Sequence, residues 1–200
     1  MIEAGAGIAC DEDGVARCSW CMSAPDYQDY HDQEWGRPVH GEVLLFERIT
    51  LEAFQSGLSW LTILRKRDAF RDAFDGFDPT RVAAYTHDDI ERLMGDARIV
   101  RNRRKIEATI TNARAVLALQ ADGLRLEDVF WQHVPKTHRR PSTLADIPTQ
   151  TPESVRLSRD LKGRGFAHIG PTTMYAAMQA CGVVNDHVTG CHVVGGQDPA

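Results

Sequence analysis

Long hydrophobic runs are missing from this chain: none approaches the roughly 18 residues of a membrane span. The first 17 residues contain no basic stretch leading into an apolar segment. The expectation is therefore a cytoplasmic chain without a secretory leader or membrane partner. Cysteine is sparse and odd in number, with Cys10, Cys18, Cys21, Cys181 and Cys191 only. Without an export signal, a disulfide framework is not expected, and metal ligation or free thiols are. Period-2 alternation, internal repeats and low-complexity tracts are also absent, which excludes sheet-rich and solenoid architectures. Positive charge is in deficit, with 23 Lys/Arg against 28 Asp/Glu and a net charge of −5. Taken whole, that balance argues weakly against nucleic acid.

What is present is an ordinary globular composition, 42% hydrophobic and 26% charged over 200 residues, enough for one domain with a real core. The charge is not evenly spread. Residues Arg92 to Arg164 hold 15 Lys/Arg against 8 Asp/Glu, and the rest holds 8 against 20. Such segregation predicts either a basic face on an acidic body or a plain solvated helix surface.

Helical spacing dominates the pattern. Leu45, Phe46, Ile49 and Ala53 predict a helix from Glu42 that Gly57 ends. A second helix is expected over Trp60 to Phe74, a third from Asp78-Pro79, and another from Thr86-His87-Asp88-Asp89. Ile106, Ile110, Ala113 and Leu117 place a long helix over Ile99 to Leu119, followed by a shorter one from Leu126 to Val134. Lys136 to Thr151 reads as a loop. Pro152 opens a helix to about Lys162, and Pro171 opens one to Cys181-Gly182. The class is all-α, with residues 1–16 a flexible extension, 17–192 one domain and 193–200 a tail.

Three constellations carry chemistry. The first is Gly165-Phe166-Ala167-His168-Ile169-Gly170-Pro171 between two helices. Gly165 and Gly170 allow close backbone approach, and a helix N-terminus favours an anion. With Arg156, Arg159, Lys162 and Arg164 upstream, this resembles a helix-hairpin-helix grip on a DNA backbone; a plain αα-hairpin is the simpler alternative. The second is a Cys/His set at both ends: Cys18, Cys21 and His31, with His187 and Cys191. Two ligands from each end make a closed Cys2His2 zinc site, with Asp32 or Asp186 supporting a histidine. His40 and His192 are further ligand candidates, and Cys18-Ser19-Trp20-Cys21 is also a redox-type spacing, though without the usual βαβ setting. The third is Glu52, on the apolar face of the Leu45–Ile49 helix, with Trp20, Tyr27, Tyr30, Trp35 and Trp60 near it in sequence. An acid on such a face is costly unless used or paired, for instance with Arg48 one turn earlier. Aromatic walls around an acid suit an extruded base.

The segments Tyr30-His31-Asp32-Gln33-Glu34-Trp35-Gly36, Leu51-Glu52-Ala53-Phe54-Gln55-Ser56-Gly57-Leu58-Ser59-Trp60 and Met178 to His187, with Arg17-Cys18-Ser19-Trp20, Phe77-Asp78-Pro79 and Arg101 to Ile106, occur in order along the chain. Together they resemble the type I DNA-3-methyladenine glycosylases from about Arg17 to Gly190. The resemblance implies a helix-hairpin-helix glycosylase fold whose termini are joined by structural zinc on Cys18, His31, His187 and Cys191, leaving Cys21 aside. It implies a base pocket in which Glu52 and Tyr30 act and Trp20, Tyr27 and Trp60 hold the base. Gly57 and Leu58 enter the gap left by that base, and Arg164, Gly165 and Gly170 contact the DNA backbone. The implied reaction is monofunctional release of free 3-methyladenine from double-stranded alkylated DNA by a monomer. A zinc-stabilised DNA-binding module, a Cys-x-x-Cys redox protein and a glycosylase for another alkylated purine are the alternatives.

Overall fold

The helix Glu42–Gln55 (α2) is buried along almost its whole length, with Leu45, Phe46, Ile49, Leu51 and Phe54 inaccessible to solvent. A helix buried over most of its length belongs near the centre of a fold, with other helices packed around it. The computed structural model describes residues 7–12 and 14–194 of the chain. Before α2 comes Pro25–Gln33 (α1), and after it Trp60–Leu64 (α3), Arg67–Ala73 (α4), Pro79–Ala83 (α5), His87–Gly95 (α6), Arg103–Ala121 (α7), Leu126–Trp131 (α8), Pro152–Gly163 (α9) and Pro171–Ala180 (α10). None of these is long and apolar enough to cross a membrane. Phe54, Phe70, Phe74 and Phe77 form a run of ring contacts from α2 across α4.

Helix starts follow local chemistry. Pro25, Pro79, Pro152 and Pro171 occupy first turns, where the missing N–H costs nothing. Asp78 caps α5, Asn102 caps α7, and Thr151 forms a capping box with Ser154 on α9. At the end of α9, the Gly165 N–H donates to the Lys162 carbonyl and the Phe166 N–H to the Leu161 carbonyl. With Gly165 at φ +92°, this is a Schellman cap.

Four expectations change. The helix expected over Trp60 to Phe74 is two helices, broken at Arg65-Lys66. The Lys66 ammonium there donates to the Arg98 carbonyl at 2.8 Å. The long helix begins at Arg103 rather than Ile99, because the Asn102 side chain caps it. The next stops at Trp131, short of Val134. A small hairpin, Ile8–Cys10 (β1) against Ala16–Cys18 (β2), stands where the spacing predicts no strand. Three-residue strands are too short to show alternation, and this pair is held by burial of Ile8 against Cys18, Val188 and Cys191. It also draws residues 8–10 out of the expected extension, whose residues 1–6 lie outside the described part, as do 195–200 of the tail.

Candidate active site

Two clusters meet around α1. The first is a cavity of about 160 Å³ lined by Trp20, Tyr27, Tyr30, Trp35, Glu52, Gln55, Trp60, Ala176 and Gln179. Tyr27 and Tyr30 come from α1, Glu52 and Gln55 from α2, Trp60 from α3, and Ala176 and Gln179 from α10. The rings brace one another. Trp20 lies 4.9 Å from Tyr27 and 5.1 Å from Trp35, and Tyr30 lies 5.4 Å from Trp60, centroid to centroid. Aromatic pairs at these separations are favourable and rigid.

At the floor lies Glu52, 6% exposed and without a hydrogen-bond partner among the described residues. Burial pushes its carboxyl up to about 8, against a smaller opposing pull from the Arg48 charge. Burial likewise raises Tyr27 to about 12 and Tyr30 well above the usual phenol range, with Glu52 adding to both. The Trp60 Nε1–H is buried and unpartnered among the described residues. Buried donors and acceptors normally find partners, so unused ones around a cavity are available to a ligand.

The second cluster is Cys18, His31, His187 and Cys191, all buried, with one ligand atom from each lying within 4.8 Å of the others. His31 Nε2 is 3.5 Å from Cys191 Sγ and 3.2 Å from His187 Nδ1, which is 3.7 Å from Cys191 Sγ and 3.9 Å from Cys18 Sγ. The far nitrogens are oriented from outside: His31 Nδ1 meets Asp32 at 2.7 Å, and His187 Nε2 meets the Trp35 carbonyl at 3.2 Å. Such a set can hold a metal ion. Of the two aspartates weighed as supports, Asp32 takes the role and Asp186 does not. Asp186 binds Tyr175, Gln179 and His138 instead. Cys21 is not one of the four: its thiol donates to the Cys18 carbonyl at 3.1 Å, and His40 pairs with Glu127.

The clusters share a wall. Trp20 meets His31 edge-on at 5.2 Å, and Trp35 meets His187 at 4.7 Å. Residues 20–194 match the family model described as methyladenine glycosylase. The chain belongs to the methyladenine glycosylase family. It is 48% identical to DNA-3-methyladenine glycosylase 1 of Escherichia coli (strain K12), over 92% of this chain and all of that protein. It is 44% identical to the DNA-3-methyladenine glycosylase of Haemophilus influenzae, over 88% of this chain and 97% of that one. A crystal structure of 3-methyladenine DNA glycosylase I superposes with a TM-score of 0.86 at 47% identity, covering 88% of this chain and 98% of that one.

Within this family member, the residues expected around a DNA backbone fall into two places. Gly57, at φ +83°, and the exposed Leu58 form the turn after α2, beside Gln55 of the cavity. Lys105 braces that turn from α7: its ammonium donates to the carbonyls of Phe54 at 2.8 Å and Ser56 at 2.6 Å. Gly165 and Gly170 lie in the α9–α10 turn, clamped by Asn112, which accepts from the Ala167 N–H at 2.7 Å and donates to its carbonyl at 3.2 Å. The two glycines differ. Gly165 commits its N–H to the cap of α9, whereas Gly170 precedes α10, with open space where a side chain would be. Arg164 is paired with Asp160 at 2.8 Å.

Trp35, one of the aromatics grouped with Glu52 in the sequence, lines the cavity, whereas Gln55, Ala176 and Gln179 are cavity residues that the sequence does not single out as base contacts. Gln55 follows Glu52 by three residues on α2, and Gln179 follows Ala176 by three on α10, so each pair shares a face. That spacing is visible in the sequence, but which face meets the cavity is not.

Proposed function

We propose that this chain hydrolyses the N-glycosidic bond of 3-methyladenine in double-stranded alkylated DNA, through one mostly helical domain to which the β1–β2 hairpin belongs. The observation that carries this reading is Glu52: a buried carboxyl without a partner, at the floor of an aromatic cavity, in a chain of this family. A related 3-methyladenine DNA glycosylase I variant, 35% identical with a TM-score of 0.81 and covering 88% of this chain and 96% of its own, is described in complex with 3-methyladenine.

Methylation at ring N3 makes the base cationic while it is attached to the sugar. Cleavage of the bond from the base nitrogen to C1′ returns that electron pair to the ring, so the base departs neutral. Water adds to C1′ and gives up a proton, leaving an abasic sugar. Little acid catalysis is needed, so selection can rest on binding. Aromatic faces attract a cationic ring by roughly 0.5–2 kcal/mol each. Trp20, Tyr27 and Trp60 supply those faces. Glu52 responds to the same charge: a cation in the cavity favours its ionised form, which then accepts from the base's amino edge. Tyr30, packed on Trp60, fixes the opposite wall. The residues lining the cavity include no lysine, in keeping with attack by water rather than a covalent intermediate.

Extrusion of the base leaves a gap in the stack, and unstacking costs a few kcal/mol. Leu58, exposed on the turn that Gly57 permits beside Gln55, is read as the side chain that fills it. The α9–α10 turn is read as the helix-hairpin-helix grip, with Gly170 at the N-terminus of α10 offering backbone N–H groups to a phosphate. Gly165 shapes that turn, and Arg164 contributes charge at its edge.

The metal is read as zinc. Zinc–sulfur distances of about 2.3 Å and zinc–nitrogen distances of about 2.0 Å imply tetrahedral ligand separations of roughly 3.3–3.8 Å. Four of the six separations among Cys18, His31, His187 and Cys191, at 3.2–3.9 Å, lie near this range, and the burial of all four residues fits a closed structural site. With four protein ligands no position remains for water, so zinc there would supply folding energy and no chemistry.

The test is release of free bases from methylated double-stranded DNA, beside Glu52→Ala. Release of 3-methyladenine, lost in the variant, is expected. No release from folded, zinc-loaded protein would overturn the reading in favour of a DNA-binding module.

A further inference from the structure

Gln179 lines the base cavity, yet its side chain is anchored behind it. Its amide Nε2 donates to Asp186 Oδ2 at 2.8 Å. The same oxygen accepts from the Tyr175 hydroxyl at 2.6 Å, and Asp186 Oδ1 lies 3.1 Å from His138 Nε2. That histidine nitrogen also faces the Asn185 carbonyl at 2.9 Å, so between two acceptors it is an N–H. Asp186 is 2% exposed and is therefore fixed by donors from α10 and from the loop before α9. A carboxylate only accepts, so the Gln179 amide has one permitted orientation: NH2 toward Asp186 and carbonyl oxygen away from it. The oxygen is then the polar atom Gln179 can offer the cavity. Gln55 is similar, since its Nε2 donates to the Leu58 carbonyl at 2.9 Å.

We propose that Gln179 is a specificity-determining residue, its carbonyl oxygen accepting from the exocyclic 6-amino group of an alkylated adenine and opposing the 6-oxo group of an alkylated guanine. Asp186 is the positioning residue that sets this polarity, with His138 and Tyr175 holding Asp186. The proposal rests on the glycosylase reading above and adds the choice between purine classes. An amino edge meets acceptors from Gln179 and Glu52; an oxo edge would place a third acceptor against them, unpaired and desolvated.

The experiment measures initial rates of 3-methyladenine and 3-methylguanine release from one batch of methylated duplex DNA. Wild type, Gln179→Leu and Asp186→Asn are compared, with melting temperature as the check on folding. The amide introduced by Asp186→Asn can donate as well as accept, so it permits the Gln179 amide to turn over. The expected result is a fall of about tenfold in the ratio of adenine to guanine release in Gln179→Leu, and a fall in the same direction in Asp186→Asn. Equal slowing of both bases, or an unchanged ratio in Gln179→Leu, would overturn the proposal while leaving the reaction intact. If Asp186→Asn does not fold, the surface of the cavity is still interrogated by Gln179→Leu, whose ratio decides. Failure of wild type to release any alkylated base would remove the glycosylase reading, and this proposal with it.

Discussion

Arg48 and Glu52 stand one turn apart on α2 but do not form the ion pair their spacing allows. Arg48 donates instead to Glu34 at 2.8 Å, beside Arg67, which binds both Glu34 oxygens. Burial pushes the Glu34 carboxyl up, but the two guanidiniums outweigh it and hold it at about 2. Arg48 is therefore committed elsewhere, and Glu52 keeps an unneutralised carboxyl in the cavity.

That division has a pH signature. Glu52 has an ordinary value of 4.5 and a folded value of about 8. Between them the folded state holds a proton that the unfolded state has lost, so stability falls as pH rises. The slope from this group is about 1.4 kcal/mol per pH unit inside the window. Denaturant titrations from pH 5 to 8 should show a steeper decline in wild type than in Glu52→Gln. Parallel curves would place Glu52 in a more polar setting than the cavity. Catalysis should move the opposite way to stability: Glu52→Gln, more stable near pH 7.5, should lose on the order of 100-fold in base release.

Glu34→Gln should return Arg48 to Glu52. The expected outcome is a lower Glu52 pKa, seen as a shortened pH window of declining stability. A loss of roughly 1–3 kcal/mol should accompany it, because two guanidiniums lose their charged partner. Base release should fall although Glu34 is not among the residues lining the cavity.

Leu58→Ala separates pocket from duplex. Binding of free 3-methyladenine, followed by tryptophan fluorescence, should be unchanged. Release from duplex DNA should drop by about tenfold or more if Leu58 fills the gap left by the extruded base. An equal loss in both assays would mean that the Leu58 turn supports the cavity rather than the gap.

Asp32 touches His31 and is itself held by Arg17, whose Nε lies 2.9 Å from Asp32 Oδ2. Asp32→Ala should weaken zinc binding about 10- to 100-fold in competition with a chromophoric chelator. Cys191→Ser should lower the melting temperature further, with chelator then having no additional effect.

Much of this is legible in residue order, and the rest is lost for identifiable reasons. Helix starts are readable at Pro79, Pro152 and Pro171 because the prolines and the residues before them act locally, whereas α1, opened by Pro25 after an Ala24 with no side-chain cap, goes unmarked. The break between α3 and α4 is not, because the carbonyls that Lys66 reaches, Ala97 and Arg98, come from about thirty residues downstream. Glu52 stands out as an acid on an apolar face, but its choice between salt bridge and free carboxyl depends on where Arg48 turns. Gly165 reads as a phosphate contact from composition, whereas the backbone uses it to end α9. Gln179 is hidden altogether, since its use depends on an amide orientation fixed by Asp186.

The shared wall between the metal cluster and the base cavity sets an order for biosynthesis. Cys18 and His31 leave the ribosome early, and His31 already backs Trp20, but Trp35 meets His187, and the Cys/His set gains its last two members, only when residues 187–191 follow. A nascent chain thus carries the cavity's aromatic parts long before it can lock them together. Ribosome-bound fragments that stop short of Cys191 should therefore compete poorly for damaged DNA.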